Sequence, residues 1–338
     1  VNDFKELYSL PGTAEEKKWL ADRLETLTVK EALILTAAQM RHPADTAADA
    51  VRQLCSLPDY TLIGPAKSYE ELGKRYLEKE TRFPRKLYEC ADLDKLGRWY
   101  EDTSPGLFVG DHYVAYPKGS LSPSYDGTNL AVLEDADWSV KLKLASDAVP
   151  EGVWLRLPDY ERVNGDVGEI SLALEALQVR NFVECTLLEA RCILLGIINL
   201  TRQYDDVVSL IYDGQNLGVI LDEQGQGTPF FREKVLAALE YEGCRLLVDA
   251  LDICQNLDCY DCIPTTDFAA LGKAQLQKSG VLESIVEAGC FDLEKCGSLL
   301  MEDEGYITTG NGYCIRRNEK PFQRLHEEGS TMTMTMTM

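Results

Sequence analysis

Carboxylates are the side chains this sequence holds in excess, and many stand in short clusters. Glu134, Asp135 and Asp137 lie in EDAD, Asp205 and Asp206 form a pair, and Asp222 and Glu223 form another. Glu240 and Glu242 flank a tyrosine, Asp249 and Asp252 fall in DALD, and Glu302, Asp303 and Glu304 are consecutive. Two carboxylates can work as acid and base when their surroundings separate their pKa values. Here pairs are so plentiful that none stands out for that role. The other chemistry open to them is electrostatic, a fixed negative array that meets a basic partner. Taken one at a time, each cluster reads as a solvated helix face or turn. Only collective placement on one face gives the sharper meaning.

Other chemistry is sparsely represented. His42, His112 and His326 are far apart and match no zinc-ligand spacing. Cys259 and Cys262 form a lone CxxC without a second pair or a nearby histidine. No GxSxG, HExxH, Walker loop or helix-opening GxGxxG occurs. The glycines of DEQGQGTPFF follow two acids and precede no lysine, so they read as a surface turn and not a phosphate cradle. The expectation is a protein without a catalytic site, metal or cofactor.

The whole chain of 338 residues has 56 Asp plus Glu against 34 Lys plus Arg, net −22. Phosphates are repelled by such a surface, which argues against nucleic acid or an anionic membrane as a direct partner. Residues 1–120 carry 20 acids and 17 bases; residues 121–338 carry 36 and 17, nearly all of the excess. Duplex DNA carries one charge per ~1.7 Å of axis, so the net charge equals that of roughly 37 Å of duplex. A compact chain of this length spans about 50 Å. A DNA-like charge density is therefore within reach if the carboxylates share one elongated face.

Eleven cysteines scattered among leucines and isoleucines suit a reducing compartment, and the longest apolar run, Cys192–Ile198, is too short for a bilayer. A cytoplasmic protein is expected.

The elements that position these groups follow from pattern. Thr13 with Glu16, and Thr28 with Glu31, have capping-box spacing before amphipathic runs, and His42-Pro43 closes the second helix. A third helix is predicted from Thr46 to Leu54. YTLIG reads as a strand, SYEELGKRYLEKE and DLDKLGRWYE as helices, and GLFVGDHYVAY as a hairpin on a Gly-Asp turn. Residues 117–128, rich in Pro, Gly and Ser, read as a linker. NLAVLEDADWSVKLKLA reads as a hairpin and GVWLRLPDY as the third strand of its small sheet. Residues 168–200 read as helical, 217–221 as extended and 229–254 as helical.

The chain also echoes itself. LYECADLDKLG aligns with VEAGCFDLEKCG so that Asp92 meets Asp292 and Gly97 meets Gly297, 200 residues apart. DAVRQLCSLPDY matches DALDICQNLDCY at the same offset, and YEELGK matches FAALGK one residue short of it. A spacing kept over this length points to a duplicated module. Leu72, Leu96, Leu271 and Leu293 are expected in cores. Gly73, Gly97, Gly272 and Gly297 either allow close backbone approach or end short helices.

SYEELGKRYLEKE…DLDKLGRWYE…GDHYV, with its second copy DFAALGKAQLQ…DLEKCGSLLME…GNGYC, resembles the C-terminal part of the ArdA-type antirestriction proteins of conjugative elements. GVWLRLPDY is similar to the β segment that opens that family's fold. The resemblance implies an acidic, elongated α+β protein that mimics DNA and occupies the DNA-binding groove of a type I restriction–modification enzyme. It also implies the carboxylates above as partner-binding residues, no direct nucleic acid contact, and a homodimer in the single-copy members. A protein-interaction module of a mobile element without DNA mimicry is the alternative.

The expected architecture is α+β, an elongated multi-domain chain of small α+β modules alternating with helical segments, internally duplicated. Its boundaries are a helical segment (1–58), an α+β module (59–118), a linker (119–127), a small β-rich segment (128–167), a helical domain (168–256), a second α+β module (257–318) and a disordered tail (319–338).

Overall fold

The computed structural model describes residues 4–79, 85–118, 125–130, 138–160, 167–226 and 228–324. The fold is mixed α+β, built of several small modules with three-stranded sheets. The chain divides into two units, Val1–Glu189 and Ala190–Met338. Residues 190–338 hold 23 acids and 12 bases and residues 1–189 hold 33 and 22, so each unit carries −11. The excess that sequence halves assign to the second part is thus divided equally by the fold.

In the first unit, α1 (Ala14–Glu25), α2 (Val29–Arg41) and α3 (Ala47–Cys55) each open on a threonine capping box, made by Thr13, Thr28 and Thr46. Each box satisfies two backbone donors that a helix end leaves orphaned. His42 closes α2, as its Pro43 neighbour requires. The first module follows: β1 (Thr61–Ile63), α4 (Tyr69–Lys79), α5 (Leu93–Thr103), β2 (Gly106–Val109) and β3 (His112–Ala115). Its antiparallel sheet has the order β1-β3-β2, and Gly110 supplies the left-handed residue (φ +56°) of the β2–β3 turn.

The helices do not form a domain of their own. Leu20, Leu35, Leu54, Leu62 and Val114 share one core with Leu172 of α6 (Glu169–Leu177). Tyr125 belongs to the same core. Its hydroxyl donates to Glu16 Oε1 at 2.8 Å, and Arg52 Nε donates to its carbonyl at 3.1 Å. The linker predicted at 119–127 therefore ends in a core residue; residues 119–124 lie outside the described residues.

Residues 131–137 of the hairpin predicted over NLAVLEDADWSVKLKLA lie outside the described residues, and GVWLRLPDY holds a strand of the small sheet, as predicted. β4 (Val140–Ala145) forms the hairpin with β5 (Val153–Leu157), Leu142 facing Leu155. The third strand is β6 (Thr186–Cys192), in the order β5-β4-β6, within a stretch predicted helical. Leu, Glu, Ala and Arg are good helix formers, and pairing beside β4 overrides that preference.

A buried charge cluster joins α1 and α2 to this sheet. Glu31 accepts from both terminal nitrogens of Arg23, from Arg156 Nη1 at 2.7 Å and from the Thr28 backbone N–H at 3.0 Å. Lys141 is buried nearby, its ammonium 5.0 Å from the Trp138 ring centroid. Glu169, at the start of α6, accepts from the Thr28 hydroxyl at 3.1 Å. Burial first, and then the charge of Glu31, push the Glu169 carboxyl well above the ordinary carboxylate range, against the pull of Lys30 and Arg156.

An acid raised in the folded state binds a proton that the unfolded chain has already released. Its contribution to stability is therefore full below about pH 4.3 and declines as pH rises through the folded value. Glu169→Gln should remove that decline, a slope of up to about 1.4 kcal/mol per pH unit. Urea unfolding of both proteins between pH 5 and 8 reads it, and parallel profiles would show Glu169 ionised throughout.

The second unit starts with α7 (Val207–Gly225), α8 (Phe231–Glu242) and α9 (Leu247–Gln255). Residues 217–221, predicted extended, lie inside α7. Its buried Leu210, Ile211, Gly214, Leu217, Gly218 and Ile220 recur at helical spacing. Next come β7 (Tyr260–Pro264), α10 (Phe268–Lys278), α11 (Glu283–Glu287), α12 (Leu293–Asp303), β8 (Ile307–Thr308) and β9 (Tyr313–Arg317), with sheet order β7-β9-β8.

Where the first module has a 3-10 helix, Arg85–Cys90, the second has α11; otherwise the order of α-helices and strands is that of the first module. The echoed residues do the same work in both. Asp92 and Asp292 cap α5 and α12 through the backbone N–H of Lys95 and Lys295. Gly97 and Gly297 lie where a Cβ would collide with the carbonyl oxygen of Tyr69 and of Phe268, so α4 crosses α5, and α10 crosses α12, at backbone contact.

Of the tail predicted at 319–338, residues 319–324 are described and make contacts, and residues 325–338 lie outside the described residues. Phe322 stacks beside Arg317, Lys320 pairs with Asp258 at 3.1 Å, and Gln323 N–H donates to Asn256 at 2.9 Å. Among the described residues no helix is long and apolar enough to cross a membrane, and no group of His, Cys, Asp or Glu could hold a metal ion.

Candidate partner-binding surface

The predicted carboxylates separate into four kinds once placed. Glu134, Asp135 and Asp137 lie outside the described residues. Asp252, on α9, is only 3% exposed, so it leaves the set of surface carboxylates. The helix is enclosed on several faces here, since Ala250, Leu251, Ile253 and Cys254 are all buried as well. Asp249, three residues earlier, is half-buried.

Glu240 and Glu242 are tied into the fold. Glu240 accepts from the Gly310 backbone N–H at 2.9 Å and from Asn311 Nδ2 at 2.8 Å, holding the β8–β9 turn. Glu242 accepts from the Tyr260 hydroxyl at 2.8 Å and from Arg317 Nε at 2.6 Å. Both anchor the second module's sheet to α8.

The exposed members are Asp205, Asp206, Asp222, Glu223, Glu302, Asp303 and Glu304. Asp206 is the N-cap of α7, and the Ser209 backbone N–H, with its hydroxyl, holds the carboxyl below the ordinary range. Asp222 and Glu223 fall near the end of α7, and Glu302, Asp303 and Glu304 at the end of α12, where neither last turn has a base. A helix C-terminus favours cations, so each acid there opposes the dipole by about 0.3–1 kcal/mol. Helix stability does not account for their placement.

The arrangement becomes clearer when the two modules are laid side by side. In the first, Arg98 Nε donates to Asp94 at 2.8 Å and Arg75 to Glu78 at 2.7 Å. In the second, the matching residues are Ser298 with Glu294, and Ala274 with Gln277. Between residues 279 and 304 stand seven acids and one base, Lys295; the matching stretch 80–104 has six acids and five bases. Among the described residues, Glu287, Glu294, Asp303 and Glu304 have no ion-pair partner, and Glu283 has a loose one, Lys273 at 4.0 Å.

Glu283, Glu287, Asp292 and Glu294 are spaced singly, so the pattern of adjacent acids does not mark them. The missing bases were the available signal. Asp147, Glu151, Glu175 and Glu184 of the first unit are exposed as well, and were passed over for the same reason. Chemically, this surface can bind cations on a protein.

No known protein family, curated protein or solved structure matches the chain.

Proposed function

We propose that the chain is a non-enzymatic antirestriction protein whose exposed carboxylates stand in for DNA phosphates in the DNA-binding groove of a type I restriction–modification enzyme. The observation that carries this reading is the contrast between the two modules. They share a fold and a glycine crossing, yet the second lacks the bases that neutralise the first over residues 80–104. The ArdA-type resemblance supports the same reading, with the second module in the binding role.

Lysines and arginines that line a DNA groove are spaced for phosphates. Carboxylates that take the place of those phosphates bind by the same screened attraction, so affinity falls with salt. The test is competition on gels between the protein and labelled DNA for a type I methyltransferase core. Near-stoichiometric displacement is expected at about 50 mM salt, weakening markedly by about 200 mM. Neutralising Glu287, Glu294, Glu302 and Asp303 together to the amides should weaken displacement about tenfold or more. Failure to displace DNA from several such enzymes would refute the proposal.

A further inference from the structure

The acid-rich stretch of the second module has a second property that charge mimicry does not use. Between α10 and α12 the chain folds into a compact turn around α11, closed by Ile285 N–H to Leu282 O at 3.0 Å, Gly289 N–H to Val286 O at 3.0 Å and Cys290 N–H to Ile285 O at 3.4 Å. Val286 is buried and fixes the turn to the module. Leu282, Ile285 and Phe291 are left outside, 66, 39 and 38% exposed. Glu283, Glu287 and Asp292 stand between and beside them, all exposed.

Large apolar side chains grouped in one short turn and rimmed by carboxylates mark a binding surface more than a solubilising one. A purely solvated acidic loop would place polar residues at those three positions. The Cys290 N–H bond to Ile285 O closes the turn, and Leu282, Ile285 and Phe291 all fall within ten residues of it.

We propose that this turn docks a cationic amphipathic protein segment, one that presents Lys or Arg beside two or three large apolar side chains. The proposal deepens the reading above, on which it rests for the sign of the partner's charge, by naming the surface chemistry of the partner. Charge complementarity selects a basic partner, and the apolar trio selects protein over nucleic acid. At the 200-residue offset Arg82, Arg85 and Lys86 of the first module stand opposite Leu282, Ile285 and Val286, so the first module is not expected to share the activity.

The test uses the full chain and two fluorescent peptides of about 18 residues, five helical turns. One places Leu and Lys at helical spacing; the other is oligolysine. Anisotropy titrations are made at about 0.05 and 0.5 M salt, where screening differs severalfold in range. Oligolysine binding should vanish at the higher salt, while the amphipathic peptide keeps its affinity within about tenfold. Replacing Leu282, Ile285 and Phe291 by Ser should cost the amphipathic peptide at least about tenfold and leave oligolysine unchanged. Circular dichroism should show an unaltered fold, since the three side chains are exposed.

Equal binding of the two peptides at high salt would overturn the proposal, as would wild-type peptide affinity in the serine variant. A dimer of the chain alone that the serine variant loses would overturn it too, by showing the patch covered by a second copy. These results are independent of the restriction-enzyme competition. Peptide binding without DNA displacement would reject the antirestriction reading and keep this one.

Discussion

Gly297→Ala is expected to destabilise the second α+β module and to leave the core of the first unit unaffected. A Cβ on residue 297 would point into the Phe268 carbonyl of α10, and both sides of the collision are backbone. No rotamer change relieves it, so α10 and α12 have to separate. Their interface is the small core of Phe268, Met301, Tyr306 and Cys314 that also covers β9. Overpacking of this kind costs about 3 kcal/mol or more.

Helix propensity alone gives the opposite sign, because alanine in a helix interior is better than glycine by about 1 kcal/mol. The sign of the change therefore decides which effect governs. Calorimetry should show the second unit's transition lowered by roughly 6–12 °C while the first unit's stays in place. Gly196→Ala, where the nearest atom is 3.8 Å from a new Cβ, is the control and should change little. A stabilised Gly297→Ala protein would mean that the crossing has slack.

The second large effect is expected at Glu31. Glu31→Ala strips the buried cluster of the carboxylate that two arginines share and leaves Arg23 and Arg156 facing Lys141 without it. Breaking a buried pair costs about 3–5 kcal/mol, since the remaining charges keep their desolvation penalty. Glu31 also completes the α2 capping box, worth about 1 kcal/mol. Glu31→Gln separates the two roles. Glutamine fills the same volume and can serve the cap, so the cost that remains, about 3 kcal/mol, belongs to the charge.

The pH dependence has a definite sign. The two arginines hold the Glu31 carboxyl well below its ordinary value, against the opposing effect of burial. Stability from this group is therefore complete above the unfolded carboxyl value and is lost as pH falls through the folded one. Urea titrations at pH 7 and in acid, on wild type and Glu31→Gln, measure it. A Glu31→Gln protein as stable as wild type at pH 7 would show that water already screens the cluster.

What the sequence revealed was local. Thr13 with Glu16, Thr28 with Glu31, the stop at His42 and the turn at Gly110–Asp111 depend on residues within four positions, and each is found as read. The acidic phrase repeated at Asp92 and Asp292 is legible too, although its acids turn out to be helix caps and its glycines crossing points. What depends on distant partners was not legible. β6 is a strand because β4 lies beside it, and Tyr125 is buried because Glu16 and Arg52 receive it.

The surface shows the same division. Adjacent acids were easy to see, but Asp252 is turned inward by its helix, and Glu240 and Glu242 are engaged by the turn at Gly310 and by Arg317. The stretch that stands out in three dimensions, residues 279–304, is marked by bases that are missing and by apolar residues left exposed. Neither is a motif, and both require knowing which way a short turn faces.

Tyr125 bears on how such a chain can be inherited. A Pro-, Gly- and Ser-rich stretch is where recombination joins modules at least cost, since few contacts usually cross it. Here a crossover at residues 119–127 would separate α1 and α3 from the aromatic ring that fills the space between them. The helices, the first module and the small sheet, joined through this core and through Glu31 and Arg156, must therefore travel together as one heritable block.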